Sequence, residues 1–152
     1  MCAACWAVRF GEKEPVRVKG ADVETCCYCG GPAGAGIYGS TTAALGTTQN
    51  STPTAAQLLG GVVTQTGQAG GGTVTTPTGT VLSSAMPRTP VAGDTFNCLF
   101  ANLGGGQTLT ITAGASGMTV IGTAAIGSGK NATLTFVNVS ANTWNCYVVV
   151  SA

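Results

Sequence analysis

The residues best placed to do chemistry are cysteines. Cys2-x-x-Cys5 and Cys26-x-x-Cys29 are separated by 20 residues. Thiolates two residues apart on a tight turn can both reach one metal, and two such turns can close a tetrahedron around Zn(II). The interval falls at the upper edge of the spacing used by paired C-x-x-C zinc sites. Cys27 is a substitute ligand for Cys26, although Cys27-x-Cys29 has the poorer spacing. Four thiolates leave zinc no open position, so the site predicted is structural, holding one ion. Iron is the alternative metal, because tetrahedral sulfur ligation suits both. Cys98 and Cys146 stand apart, on runs that read as strands. Their default role is that of small buried hydrophobes, with pairing across neighbouring strands as the alternative. A catalytic thiol needs an activating histidine or an electropositive neighbour, and the chain has no His.

Other constellations are weaker. Gly70-Gly71-Gly72 and Gly104-Gly105-Gly106 lack the Gly-Lys-Ser/Thr of a phosphate loop, and Gly127-Ser128-Gly129-Lys130 is followed by Asn131. Asp94 is a lone carboxylate after Gly93 and reads as a turn residue. One carboxylate cannot run paired acid–base chemistry. Trp144 and Tyr147 lie on a strand-like run, where aromatics pack cores and interfaces; a sugar groove is their alternative use. Aromatic and basic residues do not interleave as in single-strand binders. The expectation is a protein that is not an enzyme and takes no small-molecule substrate.

The elements that must position these residues fall into three zones of composition. Residues 1–31 are charged and Cys-rich. Within them Trp6, Val8 and Phe10 alternate with Ala7 and Arg9, and Val16 and Val18 with Arg17 and Lys19. The intervening Gly11-Glu12-Lys13-Glu14-Pro15 is turn-like, which predicts a hairpin with one apolar face. Gly30-Gly31 trail the second cysteine pair, where the backbone must turn without a Cβ clash. In ligand pairs, spacing and trailing glycines, this module resembles a zinc ribbon. A head of this size buries too little surface to fold alone, so metal binding would supply most of its folding free energy.

Residues 32–52 are Gly, Ala, Ser and Thr with little else, a linker or arm by composition. Residues 53–152 alternate β-type runs with Gly, Asn and Pro punctuation, which predicts a β-rich domain, and the scarcity of charge in it favours burial of its surface in an oligomer. Thr52-Pro53 and Thr76-Pro77 read as cap and first-turn pairs of short helices over 53–59 and 77–85. Strands are expected over 62–66, 73–76, 95–101, 108–112, 118–121, 132–139 and 144–150. The Gly-rich joins are too short for helical crossovers, so antiparallel pairing is expected. The predicted fold is all-β: a small zinc-ribbon-like hairpin, then a mainly antiparallel β-sandwich or barrel with one or two short helices.

Charge divides the chain in the same way. Arg9, Lys13, Arg17 and Lys19 balance Glu12, Glu14, Asp22 and Glu24 in the head, whereas residues 31–152 carry only Arg88, Asp94 and Lys130. A formal net charge of +1 gives no footprint for nucleic acid or an anionic membrane. No run reaches the roughly 18 apolar residues of a membrane span, and the N-terminus reads as no signal peptide. Folding in a reducing cytoplasm favours metal thiolates over disulfides. The sequons at Asn50, Asn131 and Asn138 then carry no meaning.

An ordered set of motifs carries a resemblance. Thr54-Ala55-Ala56-Gln57-Leu58-Leu59-Gly60-Gly61-Val62-Val63-Thr64-Gln65-Thr66-Gly67 comes first. Thr76-Pro77-Thr78-Gly79 and Val91-Ala92-Gly93-Asp94-Thr95-Phe96 follow. Thr108-Leu109-Thr110-Ile111-Thr112-Ala113-Gly114 and Ala132-Thr133-Leu134-Thr135-Phe136-Val137-Asn138-Val139-Ser140 complete it. Over residues 53–152 the chain resembles the head-decoration and head-fibre structural domains of tailed bacteriophages. The resemblance implies a β-rich homotrimer on a virion capsid surface, made in the host cytoplasm and bound to the major capsid protein. It brings no catalytic residues with it. A receptor- or glycan-binding fibre is the alternative, and a zinc-ribbon nucleic-acid adaptor is disfavoured by the balanced charge of the head.

Overall fold

The computed structural model describes residues 41–46, 49–66 and 68–151. The Cys-rich head and its expected hairpin lie outside them. The elements run β1 (Thr41–Ala44), β2 (Asn50–Ser51), α1 (Ala55–Leu59), β3 (Gly61–Gln65), β4 (Gly72–Thr75) and α2 (Gly79–Ala85). They continue with β5 (Thr95–Asn102), β6 (Leu109–Thr112), β7 (Met118–Gly122), β8 (Ala125–Ile126), β9 (Asn131–Ser140) and β10 (Thr143–Val150). The described chain is thus mostly strand with two short helices, as an all-β reading requires.

The strands form two mixed sheets, one ordered β1-β3-β5-β9-β10-β7 and the other β2-β4-β6-β8. From β1 to β8 the chain alternates between them, strand by strand. The neighbours β1·β3, β3·β5, β2·β4, β4·β6 and β6·β8 are therefore separated in sequence by one strand of the other sheet, and that strand serves as the crossover. This corrects the expectation of mainly antiparallel pairing. β1·β3, β3·β5, β2·β4, β4·β6 and β7·β10 are parallel. Only β5·β9, β9·β10 and β6·β8 are antiparallel among the described pairs. The Gly-rich joins carry the chain from sheet to sheet instead of folding it back on its neighbour. A direct hairpin joins β9 to β10 through Ala141 and Asn142. Asn142 takes a left-handed φ of 58° there, which Asn tolerates better than most residues, and a bulge at Thr143/Trp144 follows.

Strands β1 and β2 come from the segment read as linker or arm. Their Thr, Ala, Asn and Ser residues bury little surface, and the strands are held by parallel pairing to β3 and β4. Both helices start two residues later than their Thr-Pro pairs suggested. Thr54 caps α1, accepting from Gln57 N–H while the Gln57 side chain accepts from Thr54 N–H, a capping box. Thr78 caps α2 in the same backbone conformation. The Thr-x-x-Gln spacing was the signal for the first. Thr76 is instead buried and accepts from Gly114 N–H at 2.9 Å.

One apolar cluster draws on both sheets and both helices. It includes Leu58, Val63, Val74, Leu82, Phe100, Leu109, Ile111, Ile126, Leu134, Phe136 and Trp144. Phe96 stacks on Phe136 with ring centroids 4.6 Å apart and meets Trp144 edge-on at 5.9 Å. The indole N–H of Trp144 donates to Ser83 Oγ on α2 at 3.0 Å, which satisfies the buried donor. The first turn of α2 lies against the β9–β10 turn. A Cβ on Gly79 would overlap the backbone oxygens of Asn142 and Gly117.

At one end of the six-stranded sheet, buried amides replace apolar packing. The Asn102 side-chain N–H groups donate to the carbonyls of Gln107 and Ile126 at 2.8 and 2.9 Å. Its Oδ1 accepts from Gln68 Nε2. One side chain thereby ties β5, the following loop and β8 together.

Candidate functional site

The six-stranded sheet has two unlike faces. Alternate residues of β5, β9 and β10 point into the core: Cys98 and Phe100, then Ala132, Leu134 and Phe136, then Trp144, Cys146 and Val148. The residues between them form the outer face. Register lines them up in rows. Val62, Leu99, Thr133 and Val149 make one row. Asn97, Thr135, Tyr147 and Ile121 make the next, and Thr95, Val137, Asn145 and Thr119 the third.

No residue of any strand in either sheet is charged. A soluble surface is normally about a quarter to a third charged, and a solvated sheet face is normally polar. This face carries Thr and Asn interleaved with exposed apolar side chains instead. Val149 is 66% exposed, Leu99 41%, Tyr147 39% and Ile121 37%. Tyr147, Val149 and Ile121 adjoin one another on β10 and β7, and Val62 adjoins Leu99 on β3 and β5. Thr135 Oγ1 donates to Asn97 Oδ1 at 2.8 Å across β9 and β5. Such a face can cover another uncharged protein surface through van der Waals contact and hydroxyl and amide hydrogen bonds, with no ion to desolvate.

The three charges of residues 31–152 all sit in connections. Arg88 meets Asp94 at 2.6 Å, and Asp94 also accepts from Val91 N–H at 2.8 Å. The Arg88 hydrogen bond, followed by that of Val91, holds the Asp94 carboxyl below its ordinary value. Asp94 is therefore a turn brace, as its position after Gly93 suggested. An open groove of about 460 Å³ lies nearby, lined by Ser83, Ser84, Met86, Arg88, Thr89, Pro90, Ala141 and Asn142. Its one ionisable side chain, Arg88, is already tied to Asp94.

The two thiols of the described region are buried and free. Cys98 faces Leu134 on β9, and Cys146 faces Phe136 on the other side of the same strand. Two strand spacings separate them by about 10 Å, too far for a disulfide, which needs Cα atoms within about 7 Å. Burial pushes the Cys98 thiol up to about 11. Burial first, then the neighbouring Cys98, pushes Cys146 up to about 12. Both are inert hydrophobes at neutral pH.

The structure separates the two aromatics considered for a sugar groove. Trp144 is fully buried, whereas Tyr147 is exposed on the outer face. The metal ligands expected at Cys2, Cys5, Cys26 and Cys29, with Cys27 as substitute, lie outside the described residues. Among those described, no three His, Cys, Asp or Glu side chains gather as a metal site. No described helix is long and apolar enough to cross a membrane. Sequence reasoning missed the outer face itself. Its signal was the alternation of Thr and Asn with apolar residues in strands that lack charge. No protein-family model, curated protein or solved structure matches the chain.

Proposed function

We propose that this chain is a structural virion protein, a capsid decoration or cement protein that binds and stabilises a phage head shell. The observation that carries the reading is the uncharged outer face of the six-stranded sheet, with its exposed Leu99, Ile121, Tyr147 and Val149. A face of that composition gains by being covered, and a shell of repeated capsid subunits offers an extended surface to cover it. The two sheets act as layers of a sandwich around the shared core, and three copies assemble as a homotrimer. In the head, Cys2, Cys5, Cys26 and Cys29 would hold one structural zinc and clasp the capsid protein or a neighbouring copy. The alternative is a fibre that binds a host receptor or glycan. The exposed ring of Tyr147 favours it, but the burial of Trp144 removes the second aromatic such a site would use. Imaging of assembled virions tests the reading. Density for this chain is expected on the head surface, and its absence there refutes decoration. Binding of the purified protein to host cells but not to empty heads would favour the fibre.

A further inference from the structure

The two sheets differ in how they end. In the four-stranded sheet both edge strands, β2 and β8, are two residues long. Short edges are one of the ordinary protections against pairing with another chain. The six-stranded sheet ends in β1, of four residues, and β7, of five. Neither contains Lys, Pro or any charge, and the register irregularity of this sheet lies inside it, at Thr143/Trp144. Among the described residues, both edges thus lack a charge, a Pro or a bulge of their own. β7 also borders the exposed cluster of Ile121, Tyr147 and Val149.

The directions of the two edges match. β1, β3 and β5 run parallel, β9 reverses, and β10 and β7 return to the first direction. Rotation about an axis along the strands preserves every strand direction. It brings β1 of the next copy beside β7 in parallel, the arrangement already made by β10·β7 on one flank and β1·β3 on the other. We propose that copies of this chain join edge to edge, β7 of one to β1 of the next, continuing the six-stranded sheet around a closed ring. The occupant of each edge is a second copy, and main-chain hydrogen bonds make the joint. Such a joint is heterologous: it links two different surfaces and closes when the rotation permits. The proposal rests on the trimer reading above and assigns the surfaces that reading left open. A two-fold pairing of β7 with β7 is the competing arrangement.

The test is the native mass of the full-length protein. Ile121→Lys and Thr42→Lys each place a charge at one side of the joint, on exposed positions of β7 and β1. Each is expected to take the protein from three chain masses to one, weakening association by about 100-fold through charge placed on a pairing edge strand. Ile121→Lys combined with Thr42→Glu in one chain sets opposite charges across the joint and is expected to restore the trimer. Thr133→Lys, on β9 in the middle of the same face, is expected to leave the mass unchanged. Thr119→Lys repeats the β7 test should Ile121→Lys lose its circular dichroism. A wild-type trimer that tolerates both single changes overturns the joint and leaves the trimer standing. Dissociation by the β7 change but not by the β1 change overturns it in favour of two-fold pairing. A wild-type protein of one chain mass overturns the trimer reading and the joint with it.

Discussion

The inner and outer faces of the six-stranded sheet are built from alternate residues of the same strands, yet they obey different rules. The inner face places Phe100, Leu134, Phe136 and Trp144 in one cluster with the second sheet and both helices. The outer face sets Thr133, Thr135 and Asn145 among Leu99, Tyr147 and Val149. An ordinary solvated sheet would place Lys and Glu where those threonines stand. The difference sets the outer face apart from an ordinary solvated sheet surface. It keeps β-forming residues while omitting the charges that would hold another protein away.

The largest effect that separates the faces is expected inside. Phe136→Ala removes a ring stacked on Phe96, and should cost about 3–5 kcal/mol of unfolding free energy in urea titration. A loss below about 1 kcal/mol would mean that the inner face is not the packed core described. Gly79→Ala should follow, at about 1–3 kcal/mol, because its new methyl group meets backbone oxygens of Asn142 and Gly117 that cannot rotate away. A neutral result would place α2 further from the β9–β10 turn.

The buried thiols give an effect that is silent at neutral pH and appears only in alkali. Their folded pKa values, about 11 and about 12, lie above the ordinary 9.0. The folded state therefore retains protons that the unfolded state releases. The thiol contribution is complete below pH 9 and is lost as pH rises through 11 to 12. Unfolding midpoints should fall across that window, and replacing both cysteines with Ala should flatten the fall. Undiminished alkaline loss in the double variant would contradict the assignment.

Much of the strand content was legible because alternation is a local property. Phe96, Cys98 and Phe100 were placed on one face of a strand by sequence, and Leu109 and Ile111 on another; the structure packs all five against or within the core. Sheet order was not legible. It depends on the chain crossing to the other sheet between neighbours, and a Gly-rich join reads the same whether it folds back or crosses over. β1 and β2 were hidden because Thr, Ala, Asn and Ser hold them through backbone pairing, which composition does not record. Asn102 was hidden because its hydrogen bonds reach residues distant in sequence, such as Ile126. The absence of charge is plain in the sequence, but only register places the remaining Thr, Asn and apolar residues on a single face. The head, with the four cysteines expected as metal ligands, lies outside the described residues, and metal analysis of the purified protein tests that expectation. About one equivalent of zinc per chain is the expected result.

The most direct measurement of the central claim pairs stability with shell binding in one variant. Thr133→Lys adds a charge at an exposed position in the middle of the outer face. Its unfolding free energy should stay within about 0.5 kcal/mol of wild type, while its binding to empty phage heads should be lost. Wild-type binding by this variant would contradict the claim that the uncharged face is the surface this protein uses.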